Sequence, residues 1–94
     1  MNQKQSKEFD KLTSDIEDFI VKSSVDLVMA EAEEDYEKCQ LIAVNLQLFL
    51  FNRAQMLQEI RPEKSSSEIL LILKTVAAEI LIKIRKQKEA EEKS

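Results

Sequence analysis

Glycine and histidine are both absent from this chain, tryptophan is missing too, and there is one proline, Pro62, and one cysteine, Cys39. Each absence removes a class of structure or chemistry. Sandwiches, barrels and α/β folds draw on positive-φ residues for their tight turns, so a glycine-free chain rich in Glu, Lys, Leu, Ile and Ala reads as all-α. Without histidine there is no zinc or haem constellation, and no cofactor or metal is expected. The lone Cys39 cannot close an internal disulfide, which makes a reducing cytoplasm the simplest setting. The opening residues MNQKQSKEF lack the apolar region of a secretory signal, and the longest later apolar run, ILLILKTVAAEILI, is broken by Lys74 and Glu79. Neither a signal peptide nor a transmembrane helix is expected. Enzymatic machinery is missing in the same way: no His, no Gly-rich phosphate loop and no Cys–His pair, so the chain does not read as an enzyme.

What is present is apolar and charged in good measure, at 44% and 34% of 94 residues. That suits a single helical domain over 1–94, with frayed ends at about 1–6 and 90–94 and a modest core. The net charge is −4. It is uneven: residues 1–34 hold nine acids and four bases, whereas 61–94 hold six acids and eight bases. Complementary packing and solvated faces explain this better than a nucleic-acid footprint, which needs a denser basic stripe.

Three helical segments follow from the periodicity, at about 6–34, 35–60 and 66–90. In the first, Phe9, Leu12, Ile16, Ile20, Leu27 and Ala30 recur at three-, four- and seven-residue steps. Its N-cap is Ser6 or, through a Ser14–Glu17 capping box, Ser14. The second contains LQLFLF, whose alternation would place Leu46, Leu48 and Leu50 on one face of a strand. Its flanks are strong helix formers without turn chemistry, which favours one continuous helix. Pro62 ends that helix, and a Ser65–Glu68 capping box opens the third.

Folding the first two segments back at residues 33–35 pairs positions that sum to about 69. Ala30 then meets Cys39, Leu27 meets Ile42, Ser23 meets Leu46, Ile20 meets Phe49, Ile16 meets Arg53, Leu12 meets Leu57 and Phe9 meets Ile60. This is an antiparallel, coiled-coil-like seam. Within it, Arg53 packs its stem and turns its head to solvent or to an acid such as Glu17. A second stripe on the middle helix, Leu41, Val44, Leu48 and Phe51, is expected to be covered by the third helix, with Phe51 on Val76, Leu48 on Ile80 and Val44 on Ile84. The middle helix would then be buried between its neighbours.

The third helix keeps an apolar stripe of its own, Leu71, Ala78 and Ile82, edged by Lys74 and Arg85. An uncovered stripe of this type marks a partner surface. These five residues are the candidate partner-binding site of a helical assembly that is oligomeric or partner-bound. The stretch LVMAEAEEDYEKCQLIAVNL, through Leu27, Ala30, Asp35, Tyr36, Glu37, Cys39, Ile42 and Leu46, resembles the UvrB/UvrC-type helical-hairpin (UVR) motif. Ala43 and Val44 stand where that family commonly has Arg and Asp. The resemblance implies a protein–protein hairpin without catalytic activity. The expected function is therefore a non-enzymatic interaction module, an adaptor, chaperone or regulatory subunit, that binds another protein or itself. A nucleic-acid-associated role through Lys74, Lys83, Arg85, Lys86 and Lys88 is the alternative, disfavoured by the interleaved Glu79, Glu89, Glu91 and Glu92.

Overall fold

A computed structural model describes residues 2–93, and among them the fold is three helices and no strand: α1 (Gln3–Ala32), α2 (Tyr36–Ile60) and α3 (Ser66–Lys93). Of the ends expected to fray, about 1–6 and 90–94, the described residues 3–6 belong to α1 and 90–93 to α3, while Met1 and Ser94 lie outside the described residues. LQLFLF is helical throughout. Each helix start has a polar cap. α1 begins about one turn before Ser6 and three turns before Ser14, because Asn2 caps it: the Asn2 side-chain oxygen accepts from the Gln5 backbone N–H at 2.8 Å, and the Gln5 side chain accepts from the Asn2 N–H at 3.3 Å. Asparagine caps as well as serine does, and a glutamine three residues on completes the reciprocal pair. Asp35 caps α2 by accepting from the Lys38 N–H, and Ser65 precedes α3 with its hydroxyl oxygen accepting from the Glu68 N–H.

The α1–α2 turn has to be made without glycine. Its solution is Glu34 at φ 58°, in the left-handed region. The Glu34 N–H donates to the Glu31 carbonyl and the Asp35 N–H to the Ala30 carbonyl, so two otherwise orphaned helix-end carbonyls are satisfied around a glutamate where glycine is usual. A Cβ in this conformation costs about 1–2 kcal/mol. Glu34→Gly is therefore expected to stabilise the protein by about 0.5–1 kcal/mol, part of the gain being offset by a looser unfolded chain. A urea midpoint that stays put or falls in that variant would show that the turn is not strained.

The second turn is set by Pro62 and by an ion pair between Arg61 and Glu63. Backbone hydrogen bonding at Glu63, and next the Arg61 side chain, hold the Glu63 carboxyl below the usual carboxylate range. A depressed value means the contribution is present above the ordinary carboxylate titration and is lost as the pH falls through the lowered one.

The hairpin register is close to the one read from the stripes. Leu12 and Glu8 line one groove with Met56 and Ile60 between α1 and α2, and Phe19 stacks on Phe49 with ring centroids 3.9 Å apart. The stacked pair sums to 68. Ile16, Ile20, Leu50, Ala54, Leu57, Ile69, Leu73 and Ala77 form the core, so all three helices contribute to it. Arg53 turns its head outward and does not pair with Glu17. Its guanidinium lies 4.4 Å from the centre of the Phe49 ring and donates to the Asn52 side chain. A planar cation over an aromatic face keeps its charge half in water while covering the ring, which suits an arginine at the rim of an apolar seam.

α3 does not lie on the back of α2. Gln55 lies beside Ser66 and Phe51 beside Leu70, pairs that sum to 121 in place of 127 or 128. The N-terminal part of α3 sits over the hairpin groove, where Ile69, Ile72 and Leu73 join Phe9 and Thr13 of α1 and Leu57 of α2. Towards its C-terminus it runs along α1, with Ile84 and Lys88 beside Val25, Val28 and Met29. A helix in a groove buries its apolar face on two partners at once, and so removes more area from water than contact with one helix. Small buried residues on α1 and α2, Ser24 and Ala54 among them, let it approach. The Cα atoms span 48 × 27 × 17 Å.

Candidate interaction surface

The groove position of α3 leaves much of α2 uncovered. All the buried residues of α2 lie in its C-terminal half, at Leu50, Ala54 and Leu57, and none lies between Tyr36 and Phe49. Leu41 and Leu48 are 61% and 63% exposed, and Val44 and Phe51 are exposed as well. The expectation that α3 would bury this stripe is thus corrected. Val76 and Ile80 are half-buried, and Ile80 packs against the core that α3 shares with both helices.

The five partner-surface residues on α3 share its outer side. Leu71 is 67% and Ile82 49% exposed, and Lys74, Ala78 and Arg85 are also exposed. Successive helical residues turn by about 100°, so Leu71, Ala78 and Ile82 fall within a narrow arc pointing away from Ile69, Leu73 and Ala77. Lys74 and Arg85 fall together on one edge of that arc. Arg85 is not a free cation: its Nε and Nη2 donate to the two carboxylate oxygens of Glu31 on α1, at 3.2 and 2.8 Å. With both side chains more than two-fifths exposed, this bidentate pair contributes no more than about 1 kcal/mol. Its effect is to tie the C-terminal half of α3 to the end of α1.

Sequence reasoning placed exposed apolar surface on α3 and missed the larger stretch on α2. The reason lies on α1, where Ser24 and Val28 are buried although neither belongs to the hairpin stripe. Those residues form a second face on α1, and that face is what α3 covers.

Comparison with protein-family models, curated proteins and solved structures finds no match. The surface must be read from its own chemistry. Among the described residues no group of three or more His, Cys, Asp or Glu side chains could hold a metal ion, and no helix is long and apolar enough to cross a membrane. The main depressions are open grooves between helices. One of about 330 Å³, between the outer ends of α1 and α2, is lined by Leu12, Met56 and Ile60 with a mixed rim of Glu8, Lys11, Asp15 and Glu59. Cys39 is half-buried at the hairpin seam. What the outer side of α2 and α3 offers is apolar contact area on rigid helices.

Proposed function

We propose that this chain is a non-enzymatic protein–protein interaction module of the cytoplasm, a small helical adaptor, chaperone or regulatory subunit that works by burying an apolar helix face. One observation carries this reading: aligned apolar side chains stand exposed on two helices, Leu41, Val44, Leu48 and Phe51 on α2 and Leu71, Ala78 and Ile82 on α3. Singly exposed leucines are ordinary on a soluble surface, whereas aligned ones are the anchors of helix-in-groove and helix-on-helix recognition. The resemblance of residues 27–46 to the UVR hairpin implies the same kind of role. The basic residues of α3 support nucleic-acid binding poorly, since Arg85 is paired with Glu31 and Lys88 is half-buried beside α1.

The test compares the wild-type chain with a Leu48→Glu/Leu71→Glu double variant as baits in the cells that make the protein. Helicity is expected to be unchanged, because both residues point outward, and the specific protein partners of the wild type should be lost. Recovery of the same partners by both baits would overturn the reading, and so would a purified chain that binds DNA or RNA with steep salt dependence.

A further inference from the structure

Residues 39–52 of α2 contain no charged side chain, and their polar members are the amides Gln40, Asn45, Gln47 and Asn52. Through this neutral stretch runs the exposed stripe Leu41, Val44, Leu48 and Phe51, prolonged by Glu37 at one end and Gln55 at the other. The spacing reads the same in both directions. Every pair taken symmetrically from the ends sums to 92, so the stripe is complementary to its own reversed copy.

From this we infer that the outer face of α2 is a homodimerisation surface, on which two copies of the chain pack their α2 helices antiparallel about a two-fold axis level with residue 46. The inference rests on the interaction-module reading above and names the partner. In this arrangement Val44 meets the partner's Leu48, Leu41 meets the partner's Phe51, and Glu37 meets the partner's Gln55. A smaller side chain faces a larger one in each apolar pair. On the flank of the stripe Asn45 lies beside the axis and meets the partner's Asn45.

The chemistry of that flank argues for a second copy. An isologous interface brings like to like at its axis, so a lysine or glutamate there would face its own charge. An amide carries both donor and acceptor and pairs with itself. A strongly charged partner, by contrast, would find nothing on residues 39–52 to pair with. The four stripe residues offer a few hundred Å² per copy, less than the roughly 800 Å² per side of a standard stable interface. The dimer is accordingly weak and reversible, in equilibrium with monomer at micromolar concentration.

Sedimentation velocity on the full chain, from low to high micromolar and at low and high salt, reads this out. Dimer should grow with concentration and should not be weakened by salt, as apolar contact requires. Leu48→Glu should raise the dissociation constant at least about tenfold with helicity intact, because it buries an unpaired carboxylate at the centre of the interface. In a Cys39→Ser background, Asn45→Cys should oxidise to a disulfide-linked dimer, while Asp18→Cys, on the outer side of α1, should not. A monomer at every concentration overturns the inference, and a dimer that Leu71→Glu abolishes and Leu48→Glu spares overturns the placement on α2. Either result leaves the broader interaction reading standing, since that reading fails on the partner-capture comparison or on salt-dependent nucleic-acid binding and not on the oligomeric state.

Discussion

Leu50→Ala is expected to lower the free energy of unfolding by about 2–5 kcal/mol, and Leu48→Ala, two residues away, by less than about 0.5 kcal/mol. Leu50 is 2% exposed and belongs to the core cluster, whereas Leu48 is 63% exposed. Removing a buried leucine side chain loses its transfer free energy and leaves a cavity that the neighbours fill only in part. A domain of this size has a total stability of roughly 5–14 kcal/mol, so the first variant forfeits a large fraction of it. Urea unfolding followed by far-UV circular dichroism, at concentrations low enough to keep the chain monomeric, measures both. The pair also tests the secondary structure. In a strand the two leucines would share a face and lose stability alike, while in a helix they lie 200° apart. Equal losses would be incompatible with α2 as described.

The second large effect is expected at Ala54, which is 1% exposed and lines the small depression between α2 and the start of α3 together with Phe51, Gln55, Ser66, Ser67 and Leu70. Ala54→Leu adds three carbons at a fully packed position between the helices, and overpacking of this kind costs about 1–3 kcal/mol. The loss should be local. α3 is pushed from the groove while the α1–α2 seam keeps its contacts, so amide exchange should accelerate in the first turns of α3 before it does in the hairpin. A rise in melting temperature, or uniform acceleration across all three helices, would contradict the groove packing of α3.

These two sites mark where sequence legibility ended. The hairpin was legible because both of its sides are written in one periodicity: Phe9, Leu12, Ile16 and Ile20 on α1 and Phe49, Arg53, Leu57 and Ile60 on α2 repeat at the same three- and four-residue steps, and one turn relates them. The register read from the stripes and the one observed differ by a single residue. The cap of α3 was legible for a similar reason, since Ser65 acts within three residues of itself. Arg53 shows the limit of local reasoning. Its place in the stripe was evident, but whether it met Glu17 or the face of Phe49 depended on how the Phe19–Phe49 pair stacked.

The candidate surface divides in the same manner. Leu71, Ala78 and Ile82 could be assigned to the outside because they lie opposite the apolar face of their own helix. Leu41, Val44, Leu48 and Phe51 could not, because α2 is apolar on two sides and either could have received α3.

Sequence alone determined the all-α class, the three helices, both turns and the pairing of α1 with α2, since each follows from short-range periodicity, capping and the absence of glycine. Only the tertiary structure decided where α3 goes. A helix with a broad apolar face gains more by filling a groove between two helices than by lying along one, and the small residues that open this groove, Ser24 and Ala54, sit 30 positions apart on different helices. That choice buries the second face of α1 and leaves the outer face of α2 exposed.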